Sequence, residues 1–399
     1  EPTPALPAEP TPAPRADGEE PGLRLRRGPA ARNLAALLTA VALAVAVNQT
    51  FNLQFFSGVV LLDNAYLYVI GGLFLSIVFI VFPPSAAPWA RRCWPVDAVL
   101  ALAALGLCLW LAAMAERNLN EGWEYAAPPD AAYASVALWL LILEGTRRTA
   151  GTLLCLLVLL FSLYPLVAGD MPGPIAGFSQ PFDATIAFHI LSSESSFGIP
   201  MNAFGGLVLG FVLFGAALQH TGGSAFFNNI AFAAVGGYRG GAAKVACLGS
   251  GLMGSVSGSV ISNIMTTGTV SIPAMKRTGF SPSYAAGVEA CASTGGVMMP
   301  PVMGTTAFVM ASFLGVKYGA IVEAAIIPSL LYYFGLVVQI DGYAAQKGLR
   351  GLPRAELPRL GRTLAEGWPY ILVFAVLVWM LVGLDQETIA PYVATLVLL

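Results

Sequence analysis

Apolar residues recur along this chain in blocks, separated by short polar or charged breaks. The blocks lie near 33–48, 65–83, 96–115, 132–148, 150–168, 200–219, 283–313, 319–340, 368–384 and from 389 onward. A helix of roughly 20 apolar residues crosses the roughly 30 Å of hydrocarbon in a bilayer. The pattern therefore predicts an all-α polytopic membrane protein surrounded by lipid. Two stretches depart from it. Residues 1–29 are rich in Pro, Ala and Glu and end in Arg24-Leu-Arg-Arg27, which predicts a disordered tail rather than a signal peptide. The stretch 242–275 is apolar yet crowded with Gly, Ser and Thr.

Charge gives the blocks a direction. Of the 20 Lys and Arg residues, 17 fall at 24–32, 91–92, 147–148, 239–244, 276–277 and 347–362. If each block crosses once, these share one side, which the positive-inside rule makes cytoplasmic. The opposite loops, 49–64, 116–131, 169–199 and 385–388, carry Asp and Glu with Arg117 as their one cation. The N-terminus is thus expected in the cytoplasm. Lys244 and Lys276-Arg277 must both face that side, so the peptide between them enters and returns. That predicts a re-entrant helical hairpin, with its tip at Gly258 between Ser257 and Ser259.

A lipid-facing helix has no use for so many hydroxyls, and backbone at membrane depth unwinds only where protein or a cavity surrounds it. Hydroxyls and freed carbonyls are hard oxygen ligands suited to Na⁺, and half-helix N-termini suit an anion. Close helix packing is the plainer reading, because Gly254 and Gly258 form a small-xxx-small pair. It explains the glycines but not the same-side charges or Asn263. Gly249-x-Gly251-x-x-Gly254 also matches a dinucleotide fingerprint, but no strand precedes it. A second interruption follows at Ala292-Ser-Thr-Gly-Gly296 and Pro300-Pro301, where two backbone donors are missing in mid-span. A broken helix over about 283–313 is expected there, with a simple proline kink as the alternative.

The charges near or within spans each need a reading. Glu289 is a carboxylate inside a span, hence a candidate coupling group, or else a neutral group hydrogen-bonded among helices. Glu144 reads as a cap or a partner of Arg147 and Arg148, and Glu323 as a solvated partner of Lys317. His189 and His220 read as loop or helix-end residues. Composition narrows the function further: 57% of residues are hydrophobic and 11% charged, with a net charge of −2. No basic stripe points to nucleic acid. Five scattered cysteines and two histidines supply no disulfide framework or histidine-rich metal centre. No Ser/His dyad, Asp pair or metal cluster falls at membrane depth, so the chain does not read as an enzyme and needs no cofactor.

The motifs Gly254-Ser-Val-Ser-Gly-Ser259, Thr267-Gly-Thr269, Ile272-Pro-Ala-Met-Lys-Arg-Thr-Gly279, Ala292-Ser-Thr-Gly-Gly296 and Met299-Pro-Pro301 resemble a tripartite ATP-independent periplasmic (TRAP) transporter. More narrowly they resemble the fused 4-plus-12-helix permease of its TAXI subgroup, with Phe197-Gly-Ile-Pro200 and Phe214-Gly215 in support. The motifs cover about residues 186–345. The resemblance implies an elevator-type transporter of two inverted repeats, each with a re-entrant hairpin and a broken helix. Residues 30–170 would match the small membrane subunit and 171–399 the first part of the large one. It implies ion-coupled, usually Na⁺-driven, import of a small organic anion across a bacterial inner membrane, delivered by a periplasmic TAXI-type solute-binding protein.

Carried over, ion and substrate are expected at Ser255, Ser257, Gly258, Ser259, Asn263, Thr267, Thr294, Gly295, Gly296, Pro300 and Pro301. Na⁺ itself is expected near Ser257, Ser259 and Gly295. Glu289 leaves H⁺ open as the coupling ion. Only one hairpin is present and the chain stops within an apolar run, so it is expected to be an N-terminal part of the two-repeat subunit. A receptor-independent elevator symporter of the citrate or dicarboxylate type is the alternative. The topology has a direct test: a cysteine introduced as Arg277→Cys should label only from the cytoplasmic side. Labelling from the periplasm would break the re-entrant reading.

Overall fold

In hydrocarbon each backbone N–H and C=O must be satisfied within its own segment, so long apolar blocks become helices. The computed structural model describes residues 28–399 apart from 54, 55, 57, 59 and 86–92. Its order is α1 (Pro29–Thr50), α2 (Asp63–Val81), α3 (Trp94–Ala113), α4 (Ala115–Glu121), α5 (Pro129–Ala150), α6 (Thr152–Leu163) and α7 (Phe182–Leu191). Then come α8 (Ile199–His220), α9 (Gly223–Val235), α10 (Gly241–Ser257), α11 (Val260–Arg277), α12 (Pro282–Gly296), α13 (Thr305–Leu314) and α14 (Tyr318–Gln346). The last three are α15 (Leu360–Glu366), α16 (Trp368–Gly383) and α17 (Ala390–Leu398).

The described residues contain no strand. Helices α1, α2, α3, α8 and α14 are each long and apolar enough to cross a membrane, and α15 with α16 forms a sixth candidate bent by 68°. The expected runs contain no counterpart for α4, α7, α9 or α15, because helices of 7, 10, 13 and 7 residues are too short to cross. The tail expected at 1–29 lies outside the described residues except for its last two.

Two compact units divide the chain. One takes the residues up to Val45 and Val60–Phe197; the other takes Ala46–Val59 and Gly198–Leu399. In the first, α2 and α3 lie so close that a Cβ at Gly72 would sit 2.6 Å from Cys108 Cβ. Ser76 Oγ donates across that contact to Ala101 O at 2.9 Å. The Tyr68 hydroxyl donates to Ile190 O at 2.9 Å and Asn118 Nδ2 to Leu191 O at 3.1 Å, suspending α7 by its last carbonyls.

Arg148 is 3% exposed and pairs at 2.7 Å with Asp97, which is 1% exposed. Its guanidinium also bonds Glu144 at 2.7 Å and Phe82 O at 3.1 Å, and lies 5.0 Å over the Phe79 ring. Glu144 binds Arg147 as well, also at 2.7 Å. One buried cation therefore gathers the ends of α2, α3 and α5.

In the second unit, Phe211, Phe214, Phe308 and Tyr318 centre one apolar cluster, and Ala246, Phe280, Ala292 and Ile340 a second. The Tyr284 and Tyr343 rings stack at 3.7 Å in the second cluster. The 29 residues of α14 are about 43 Å long and separate two kinds of charge. At its start Lys317 pairs with Asp385 at 2.5 Å, and Glu387 accepts from Tyr318 N at 2.5 Å. This corrects the sequence pairing of Lys317 with Glu323: the loop before α17 brings a nearer carboxylate. Near its end Asp341 receives Arg239 and Lys244, the latter at 2.6 Å.

Replacing Arg148 by Met removes the buried cation that Asp97, Glu144 and Phe82 O share, and should cost about 3–5 kcal/mol. Arg117, in an exposed pair with Glu121, is the control: Arg117→Ala should leave the melting curve in detergent unchanged. Equal melting of both variants would show that the buried network is not a fastening.

Candidate functional site

The site begins at a turn. Helix α10 ends at Gly258, whose φ of +58° is left-handed, and whose N–H donates to Gly254 O at 3.1 Å. That conformation favours glycine. A Cβ there would also lie 2.5 Å from Met303 O, so the tip needs glycine for space as well. Ser259 is extended, and its Oγ caps α11 by accepting from Ser262 N at 3.4 Å. The result is a helical hairpin with Gly258 at its apex and Lys244 and Lys276 towards its open end.

The second element is the break between α12 and α13. Gly304 N donates to Val297 O at 2.7 Å, which closes residues 297–304 into a loop. The Pro300–Pro301 peptide within it is cis. Val302 N donates to Ser255 O at 3.0 Å, binding the loop to α10. The buried Tyr318 hydroxyl contacts Pro301 O at 3.1 Å and donates to Val302 O. Backbone groups released by the break thus find partners on α10 and α14. The arrangement sets the N-termini of α11 and α13 side by side, since the Gly258 Cβ position lies 3.7 Å from Gly304 Cα. Thr305 and Thr306 open α13 there, both exposed. First-turn N–H groups have no intrahelical acceptor, so two neighbouring N-termini form a field that favours an anion.

The two elements are clamped at a glycine crossing. A Cβ on Gly254 would collide with Gly296 Cα, and one on Gly296 would lie 2.8 Å from Gly254 Cα and 2.9 Å from Asn263 Nδ2. Asn263, 1% exposed, donates from that nitrogen to Ser250 O at 2.8 Å. Its Oδ1 is buried with no hydrogen-bond partner among the described residues.

Below the crossing, Glu289 is 1% exposed and ringed by hydroxyls. Ser250 donates to its Oε1 at 3.0 Å and Ser293 at 3.3 Å; Thr267 also donates to Oε1, and Ser271 to Oε2. Of the sequence candidates, Ser255, Gly258, Asn263, Thr267, Gly296 and Pro301 meet at or next to the docked hairpin. Ser257 is half-buried with its Oγ 3.5 Å from Ser259 O, Ser259 is exposed, and Pro300 is half-buried in the loop. Thr294 is exposed and bonds Ala290 O at 2.8 Å, away from the crossing. Gly295 faces α14, where the Tyr332 and Tyr333 rings fill its Cβ space.

Residue reading missed Ser250, Ser271 and Ser293 as partners of Glu289, and Tyr318 as the prop of the loop. The spacing of four in Asn263, Thr267 and Ser271 was a usable signal, since it places all three on one face of α11. Nothing in the sequence pointed to Tyr318.

A protein-family model described as "Tripartite ATP-independent periplasmic transporter, DctM component" matches residues 137–399. The chain belongs to this family. It is 31% identical over 190 residues to the C4-dicarboxylate TRAP transporter large permease protein DctM of Pseudomonas aeruginosa, covering 47% of this chain and 44% of that one. It is 29% identical over 199 residues to the protein of the same description from Vibrio cholerae, covering 48% and 44%. A third such protein, from Rhodobacter capsulatus, is 25% identical over 221 residues, covering 52% and 49%. The chain spans about half the length of the curated relatives it matches. Membership in the TRAP transporter permease family agrees with the several apolar helices of a multi-pass membrane protein.

For this TRAP permease chain the crossing leaves no room for a side chain on either glycine. Gly254→Ala should lower the melting temperature in detergent. Gly287→Ala, on an open face of α12, should be neutral or stabilise by about 0.5–1 kcal/mol. Equal behaviour of the two would mean the hairpin and α12 do not need their close approach.

Proposed function

We propose that the chain is the membrane permease part of a secondary, ion-coupled importer of small organic anions such as carboxylates, supplied by a periplasmic solute-binding protein. One observation carries this: the N-termini of α11 and α13 open side by side at the hairpin tip. The hydroxyls and carbonyls of Ser257, Gly258 and Ser259 lie at that same tip. Paired N-termini attract a carboxylate, and neutral oxygens suit Na⁺ as the driving ion. The unpartnered Oδ1 of Asn263 adds a buried acceptor near it. The names of the Pseudomonas and Vibrio relatives point to C4-dicarboxylates as the first substrates to try.

The finer assignment is to the fused TAXI type in a bacterial inner membrane, with the N-terminus in the cytoplasm. Its supports are the motifs of the hairpin and broken helix, the side preference of Lys and Arg, and α1–α4 lying ahead of the family match that begins at 137. In this reading the hairpin is re-entrant and moves with α12 as an elevator, and the chain supplies the first of two inverted repeats.

The test is uptake of labelled succinate into vesicles holding the full-length permease, with and without its solute receptor and with an inward Na⁺ gradient. Uptake should require both. Ser257→Ala, Ser259→Ala and Asn263→Ala should each lower it by about tenfold, as expected for a lost charge-assisted contact. Uptake with no receptor present would overturn the TRAP-type mechanism in favour of a receptor-independent dicarboxylate symporter. Normal uptake in all three variants would remove the site from the hairpin.

A further inference from the structure

The connection from α14 through α15 is basic, and most of its charge has no partner. From 342 to 384 the chain carries Lys347, Arg350, Arg354, Arg359 and Arg362 against Glu356 and Glu366. All five cations are exposed, and among the described residues only Arg362 is ion-paired, with Glu366 at 2.7 Å. That contact engages Nε–H alone and leaves the four other guanidinium donors available. The segment is nonetheless held in place. Leu352 N donates to Gly236 O at 2.9 Å, a Cβ on Gly351 would strike Gly237 O, and Leu357 packs against Gly236. The cations are thus borne on a loop fastened to the turn from α9 into α10, at the open end of the hairpin.

Helix α15 follows this loop and has three distinct faces. Leu360, Leu364 and Trp368 recur every four residues, so they share one stripe, and all three are exposed. Thr363 and Gly367 form the neighbouring stripe and are buried; a Cβ on Gly367 would collide with the Phe226 ring of α9. By helical spacing Arg359, Arg362 and Glu366 fall on the side opposite the leucines. The Phe226 and Tyr370 rings stack at 5.1 Å, and the Tyr370 hydroxyl donates to Thr221 O at 2.5 Å, so the joint with α16 is fixed. There the chain bends by 68°, which turns α15 towards the membrane plane when α16 runs across it. Trp368 stands at the joint, a residue suited to the border between hydrocarbon and headgroups. The exposed apolar stripe continues below it through Leu372 and Trp379 on α16.

We propose that α15 and the basic loop before it form a binding site for an anionic phospholipid of the leaflet they face. Leu360, Leu364 and Trp368 lie against its acyl chains, Arg359 and Arg362 meet its phosphate, and Arg350 and Arg354 extend the positive surface. An apolar stripe backed by arginines matches a lipid, which offers both chemistries at one boundary; a water-soluble phosphate offers only one. Net charge selects the anionic headgroup, because a zwitterionic lipid brings a cation of its own. The loop is fastened to the turn before α10, so an occupied site steadies the base of the hairpin. The proposal requires a chain that sits in a membrane; it does not rest on the importer reading.

The test titrates the full-length protein in neutral detergent with phosphatidylglycerol, phosphatidylcholine or inorganic phosphate, reading bound lipid by native mass spectrometry and melting temperature in parallel. Phosphatidylglycerol alone should bind and raise the melting temperature, and both effects should fade at high salt. Arg359→Gln and Arg362→Gln should each weaken that binding about fivefold. Arg117→Gln, in the exposed pair with Glu121, should leave it unchanged. An equal response to phosphatidylcholine or to inorganic phosphate overturns the assignment, as does undiminished binding in both α15 variants. Binding without a rise in melting temperature overturns the link to the hairpin base. In vesicles containing brominated phosphatidylglycerol, quenching of tryptophan fluorescence should fall in Trp368→Phe. Quenching that this substitution leaves intact would mean that protein, either a second copy or another segment, covers the stripe, and the lipid site would fail.

Discussion

The close approach of α10 to α12 at Gly254 and Gly296 is the constraint from which the rest of the site follows. Two interrupted helices can bury their loose backbone groups only if each supplies partners for the other. With no side chain between them, the helix backbones come near enough for Val302 N to reach Ser255 O and for Asn263 to lie across the junction. The hairpin tip then falls against Met303 and Gly304, so the first turns of α11 and α13 begin at the same place. A single methyl group at the crossing would push all of these apart.

The same docking explains why polar residues are affordable in so apolar a protein. The hydroxyls of Ser250, Thr267, Ser271 and Ser293 do not face lipid; they converge on Glu289 from three helices. An isolated buried polar group is costly, and several hydrogen bonds offset that cost. The first unit uses the opposite solution. There Arg148 and Asp97 neutralise one another directly, which fastens helix ends. One polar cluster is satisfied by a cation and the other by hydroxyls.

Long α14 ties the second unit together by contacts far apart in sequence. Its first residue, Tyr318, props the broken loop, and Tyr332 and Tyr333 donate to Cys291 O and Ala292 O just ahead of the glycine pair. Asp341 near its other end holds Lys244 at the open end of the hairpin. The helix therefore touches the tip, middle and base of the hairpin and broken-helix assembly.

The long helices and their order were legible in the sequence because hydrocarbon leaves a backbone few options, and a run of about 20 apolar residues records that limit directly. Gly258 marked its own turn, flanked as it is by Ser257 and Ser259, and Pro300-Pro301 marked the break. Short α9 was invisible because no length rule applies below a span. The partners of Glu289, the exposure of Thr294, the tyrosine rings against Gly295 and the pairing of Lys317 with Asp385 were decided by tertiary structure alone. Each depends on which faces of separate helices meet, and in a helix crowded with serine and threonine every face looks polar until its neighbour is known.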